Sequence, residues 1–125
     1  MERIPAEFFK SYFHKKGALA AARDGNPEKK SSACQFYLVQ GRTFTDEELD
    51  AVELKSGFKF SEEQRTIYKA IGGSPHLDLA YTVFGEVVEG LEVIGIIAAL
   101  PRDANNRPLQ DVRMQVKILK DYPSE

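Results

Sequence analysis

Residues 31–41 read SSACQFYLVQG, and the fold turns on how this stretch is taken. Serines open it, Gly41 closes it, and the middle is aromatic and β-branched, which is strand chemistry. Alternation along a strand puts Cys34, Phe36 and Leu38 on one face and Gln35, Tyr37 and Val39 on the other. The first face is apolar and suits a core, where Cys34 is inert packing. The second sets an amide beside an aromatic ring. That pairing fits a shallow pocket that grips an apolar group and a peptide carbonyl together. It also fits a Gln that faces water next to a half-buried Tyr.

Working outward, GALAAAR (17–23) is small and apolar. Its alanines favour helix by propensity, but Gly17 and the turn chemistry of DGNP (24–27) leave room only for a short segment. We read it as a strand that a neighbour approaches closely. The lead-in RIPAEFFKSYFHKKG (3–17) has no clean period and reads as extended, with His14 as a surface or internally satisfied histidine. After Gly41 the texture changes. Thr45 followed by Glu48, and Ser61 followed by Gln64, are two capping boxes. Leu49 and Val52, then Ile67, Tyr68 and Ile71, give the apolar stripes, and Gly57 and Gly72-Gly73 the stops. A two-helix hairpin over 45–71 follows.

SPHLDLA (74–80) reads as a loop and YTVFGEVV (81–88) as an alternating strand, with Gly85 marking a bulge or a close backbone approach. EGLEVIGIIAAL (89–100) has a broad apolar stripe and predicts a buried helix ended by Pro101. LQDVRMQVKILK (109–120) alternates and predicts a half-buried closing strand. About four strands result, too few to close a filled barrel, which takes roughly eight. The sheet stays open or borrows strands.

The chain has 125 residues, a net charge of −2 and 29% charged residues. One domain is the default at this length. The acidic balance implies no basic face, so nucleic acid is not an expected partner. No apolar run nears the ~18 residues of a membrane span. One cysteine rules out an internal disulfide, and two histidines are too few for a His-only metal site. The acidic pairs Asp46-Glu47-Glu48 and Glu62-Glu63 sit in first helical turns, where the dipole favours them. We read them as caps and not as catalytic carboxylates.

GALAAAR, SSACQFYLVQG, LDLAYTVFGEVVEGLEVI (77–94) and RPLQDVRM (107–114), in this order and spacing, resemble the cyclophilin-type peptidyl-prolyl cis–trans isomerases. The resemblance covers roughly residues 3–120 and is interrupted by the hairpin before IGGSPHLD (71–78). The lead-in and the insertion look like a bacterial subgroup, leaving the compartment open between cytoplasm and periplasm. The resemblance implies a mainly β fold: an antiparallel barrel, incomplete here, with one core helix and the inserted hairpin. The groove would lie outside the barrel, with Phe36 pointing in. Gln35 would hydrogen-bond the substrate backbone and Tyr37 would wall the proline pocket. Ala22 and Arg23 match the strand that holds the residue before the proline. Leu77 matches the pocket floor. His76 stands where many relatives carry Trp, and Tyr81 where many carry His.

Relatives also have an F-H-R segment followed by a Q-G-G-D run, which supplies the catalytic arginine. His14 lies in a superficially similar context, but Lys15 and Lys16 follow it and nothing here matches the rest. The chain resembles the C-terminal two-thirds of the domain, truncated at its N-terminus. The expected activity is rotation of Xaa-Pro bonds in peptides or unfolded proteins, without metal or cofactor, and weak in this chain. The alternative is a non-catalytic module that binds proline-containing peptides. A third is a structural fragment that self-associates through an open sheet edge.

Overall fold

The computed structural model describes residues 3–119. β1 (Arg3–Ile4), β2 (Ala18–Ala21), β3 (Ser31–Ser32) and β4 (Phe36–Leu38) come first. Then follow α1 (Asp46–Ser56), α2 (Glu62–Ala70), a 3-10 turn over Pro75–Leu77, β5 (Val83–Glu86) and α3 (Glu92–Ala98). All strand pairing is antiparallel. β2 is the centre of a three-stranded sheet ordered β4–β2–β5, and β1 pairs with β3 separately. The architecture is mainly β, and among the described residues the sheet does not close into a barrel.

Small residues explain why β2 is central. Ala18, Ala20 and Ala21 are buried and let both neighbours close in. Ala18 and Ala20 form one core with Val39 and Val83, against which Tyr37 packs. The register of β2 on β5 slips between Leu19 and Ala20. Opposite the slip stands Gly85, where a Cβ would lie 3.2 Å from Leu19 Cδ2. This is the close approach that the glycine predicts.

Both helices of the hairpin start as their capping boxes dictate. The Glu48 N–H donates to Thr45 Oγ1 at 3.2 Å and the Thr45 N–H donates to Glu48 Oε1 at 3.1 Å. Ser61 and Gln64 repeat the exchange at 2.8 and 3.1 Å. Buried Gln64 also donates to the Lys10 carbonyl at 2.6 Å, tying the hairpin to the lead-in. A second core gathers Leu49 and Tyr68 from the helices with Phe13 from the lead-in. The Tyr68 ring meets Phe13, Phe44 and Phe60 edge to face at 5.4, 6.4 and 5.6 Å. Arg65 joins α2 to α1 through Asp46, Asp50 and Glu53.

The hairpin returns to the sheet through Gly73. It bridges both Lys15 and Arg42, and the next N–H, of Ser74, donates to the His14 carbonyl at 2.8 Å. A Cβ on Gly73 would stand 2.1 Å from that carbonyl oxygen, and its φ is +155°. Only glycine fits where three backbones cross.

Three expectations from the sequence do not hold. Cys34, Phe36 and Leu38 do not form a core face: Cys34 is exposed, and Phe36 and Leu38 are 47% and 44% exposed. The buried residues of the stretch are Ser31 and Val39, and the apolar one, Val39, is on the opposite face. Alternation is right, but no described layer covers the Phe36 side. The helix over 89–100 exists as α3 but buries no residue. It stands off the sheet, with a hollow of about 560 Å³ among Leu38, Val87, Val93, Ile94 and Ile97. The closing strand is absent over residues 109–119, which are irregular and mostly exposed; Lys120 lies outside the described residues. An alternating segment needs a neighbour's backbone, and no described strand edge pairs with it. The loop at 74–80 contains the short turn at Pro75–Leu77.

Candidate functional site

β4 carries Tyr37 to the side of the sheet where β5 begins, and the turn at 75–81 brings Tyr81 against it. The two rings meet edge to face, 6.0 Å apart at 83°. The Leu77 carbonyl sets this up: it accepts the N–H groups of Ala80 and Tyr81 at 3.1 and 3.2 Å. Leu77 and Tyr81, both half-buried, thus belong to one tight turn.

The end of β2 supplies the next side. Ala22 donates its N–H to the Gln35 carbonyl at 3.0 Å and accepts from Ser32 at 2.8 Å, so the sheet pairing runs one residue past β2. Arg23 follows. Its guanidinium carbon is 4.4 Å from the Tyr81 ring centroid. Its Nε donates to the Ala80 carbonyl at 2.8 Å and a terminal nitrogen to the Asp24 carbonyl at 2.9 Å. Arg23, Tyr81 and Tyr37 therefore form a continuous row, the guanidinium over one ring and the two rings edge to face.

The remaining candidates are less closely joined. Gln35 is exposed and borders a hollow of about 450 Å³ with Ala21, Cys34, Phe36, Thr82 and Phe84. His76 is exposed on the 3-10 turn. Among the described residues, no hydrogen bond or ring contact ties the side chains of Gln35, His76 or Leu77 to the Tyr37–Tyr81 pair.

Behind Tyr37 lies a polar cluster that the sequence reading did not assemble. His14 is fully buried. Its Nε2 is 2.8 Å from the Tyr37 hydroxyl and its Nδ1 is 2.9 Å from Asp78 Oδ1. Asp78 Oδ1 also accepts the His14 backbone N–H at 2.7 Å, and Oδ2 accepts the Tyr68 hydroxyl at 2.5 Å. The His14 and Tyr37 rings are stacked, 6.0 Å apart and 16° from parallel. Burial pushes the Tyr37 hydroxyl well above the ordinary tyrosine range, and the nearby Tyr81 and Asp78 add to this. Burial does the same to Tyr68, reinforced by Asp78. Both phenols stay protonated as donors, so neither is a nucleophile. The available signal was Asp78 itself, an acid flanked by leucines in HLDLA, where a buried carboxylate needs partners.

The site offers an aromatic corner and a guanidinium held against it. Among the described residues, no group of three or more His, Cys, Asp or Glu side chains could hold a metal ion. No described helix is long and apolar enough to cross a membrane.

Comparison with known proteins identifies the family. The family model for cyclophilin-type peptidyl-prolyl cis-trans isomerases matches residues 1–118. The chain belongs to that family. It is 34% identical over 111 residues to a Staphylococcus saprophyticus protein named "Putative peptidyl-prolyl cis-trans isomerase", covering 89% of this chain and 53% of that protein. It is 30% identical over 113 residues to a Streptococcus pyogenes protein named "Putative bifunctional phosphatase/peptidyl-prolyl cis-trans isomerase", covering 89% of this chain and 23% of that one. A 45-residue stretch, 35% of this chain and 28% of the relative, is 47% identical to the human peptidyl-prolyl cis-trans isomerase-like 3. The chain thus spans about half or less of the length of these relatives.

Proposed function

We propose that this chain carries the proline-binding half of an isomerase groove that turns over Xaa-Pro bonds in peptides and unfolded proteins. Tyr37 and Tyr81 wall the proline ring, Leu77 floors the pocket, and His76 lies on the rim. Ala22, Arg23 and Gln35 hold the substrate backbone. The observation that carries the reading is the Tyr37–Tyr81 corner, 6.0 Å between centroids, built by two of the stretches that carry the family likeness.

The chemistry is rotation about an amide whose resonance barrier is about 18–20 kcal/mol. An apolar corner strips water from the amide, and a donor aimed at the prolyl nitrogen stabilises its lone pair as the nitrogen pyramidalises. Each ~1.4 kcal/mol removed from the barrier is tenfold in rate. Arg23 is the cation whose charge acts on Tyr37, but its Nε and one terminal nitrogen are engaged by the Ala80 and Asp24 carbonyls and its plane lies on Tyr81. It orients the rim and is a poor donor to the prolyl nitrogen. Turnover by this stretch alone is accordingly weak.

The commitment of Arg23 equally favours a second reading, a module that binds proline-containing segments without turning them over. Exchange spectroscopy on a succinyl-Ala-Ala-Pro-Phe peptide separates the two. Catalysed cis–trans exchange that disappears in Tyr37→Ala supports the isomerase. Saturable binding with exchange at the uncatalysed rate supports the module. Exchange that survives Tyr37→Ala contradicts the site.

A further inference from the structure

The groove and the inserted hairpin are joined by a run of polar contacts to which the isomerase reading gives no task. It begins on α2, where the Tyr68 hydroxyl donates to Asp78 Oδ2, and passes through Asp78 Oδ1 to His14 Nδ1. It ends where His14 Nε2 meets the Tyr37 hydroxyl at 2.8 Å. The direction of the protons follows from the chemistry. An ionised carboxylate can only accept, so Nδ1 carries the proton it shares with Asp78. With that proton on Nδ1, Nε2 is the nitrogen left to accept, and the Tyr37 hydroxyl is placed to donate to it.

Every member is held from more than one side. Tyr68 is packed among Phe13, Phe44 and Phe60. Asp78 is shared by two side chains and the His14 backbone N–H. The His14 ring, fully buried, stacks on Tyr37 as well as bonding to it. At the far end Tyr37 is half-buried and meets Tyr81 at the groove. Hydrogen bonds in such low-dielectric surroundings polarise one another, so a change at one end is felt at the other.

We infer that Tyr68, Asp78 and His14 are positioning residues for the Tyr37 ring, and that docking of the hairpin sets the orientation of this groove wall through them. The consequence for peptide binding rests on the proposed pocket, but the coupling between hairpin and ring does not. The hairpin is therefore a handle on the groove: a partner or modification that shifts α2 changes how the site grips proline.

The test is NMR on the full chain, with Tyr68→Phe as the main variant. This substitution deletes one hydroxyl and leaves the aromatic packing of α2 in place. In the unmodified chain the ¹⁵N shifts of His14 should report a protonated Nδ1 and an acceptor Nε2. In Tyr68→Phe, with helicity unchanged, the His14 nitrogens and the Tyr37 ring signals should move and the Tyr37 ring should flip faster. Proline-peptide affinity should fall about three- to tenfold, as for residues in one network. Tyr37→Phe approaches from the other end: the Tyr68 and His14 signals should respond although α2 is untouched. Tyr37 and His14 signals unmoved by Tyr68→Phe, or a His14 protonated on Nε2 alone, would overturn the inference. Coupling that persists while no proline peptide binds counts against the pocket and leaves the coupling standing.

Discussion

Arg23 lies across Tyr81, its guanidinium carbon 4.4 Å from the ring centroid, while its Nε holds the carbonyl of Ala80, the residue just before that ring. One side chain from the end of β2 therefore clamps both the ring and the backbone of the turn that leads into β5. The Tyr37–Tyr81 corner depends on this clamp from one side and on the His14 stack from the other.

Removing the clamp should loosen the rim without unfolding the sheet. Arg23→Ala is expected to weaken binding of an Ala-Pro peptide about two- to fivefold, the scale of an exposed cation–π contact. Arg23→Lys should not restore it, because an ammonium lacks the planar fork that stacks and donates at once. Isothermal titration of both variants checks this. Full recovery in the lysine variant would show that charge alone matters.

The crossing at Gly73 is a sensitive backbone position. A Cβ there would sit 2.1 Å from the His14 carbonyl oxygen and 2.8 Å from Lys15 Cα. Neither neighbour is a flexible side-chain end, so the backbones must separate. Gly73→Ala should cost about 3 kcal/mol or more, the upper end for one substitution. Gly25→Ala, with nothing within 4 Å of the new methyl, should cost far less. Urea unfolding of the two variants gives the comparison, and equal midpoints would refute it.

The hairpin should weaken in acid. The Lys69 ammonium, then the Arg65 guanidinium, hold Asp46 below the ordinary carboxylate range. Arg42, then the Thr45 backbone N–H, do so for Glu48. Both groups bind protons less well folded than unfolded. Their contribution is complete above the unfolded values near about 4 and fades as pH falls through the lower folded ones. Both are exposed, so salt should shrink the effect. Helicity followed by circular dichroism from pH 6 to 2, at low and high salt, reads it out. A hairpin that gains stability on acidification would contradict the assignment.

The caps carry a cleaner local prediction. Thr45→Ala and Ser61→Ala each remove an acceptor for a helix N–H and should each cost about 1 kcal/mol. Ser61→Ala should also loosen Gln64, which reaches from the cap to the Lys10 carbonyl at 2.6 Å. It should therefore perturb the lead-in amides, which Thr45→Ala leaves alone. Amide hydrogen exchange distinguishes the two.

What the sequence disclosed follows the range of each interaction. The capping boxes at Thr45 and Ser61 act over three residues and were legible outright, as was the need for glycine at position 85. The family likeness carried the antiparallel mainly β fold and the proximity of Tyr37 to Tyr81. Alternation showed that Phe36 and Leu38 share a face but not whether anything covers it, since burial is a property of the neighbours. The same holds for α3, whose period is helical and whose stripe lines an open hollow and buries no residue. His14 and Asp78 are 64 residues apart. No local pattern announces such a pair, and only the oddity of an acid between Leu77 and Leu79 pointed toward it.

The central claim is that proline docks against Tyr37 and Tyr81. The direct measurement is the aromatic ¹H–¹³C spectrum of the chain titrated with succinyl-Ala-Ala-Pro-Phe and, separately, with its Pro→Ala analogue. The expected result is saturable shifts of the Tyr37 and Tyr81 rings with the proline peptide and none with the analogue. Rings that ignore the proline peptide, or that respond alike to both, would contradict the account.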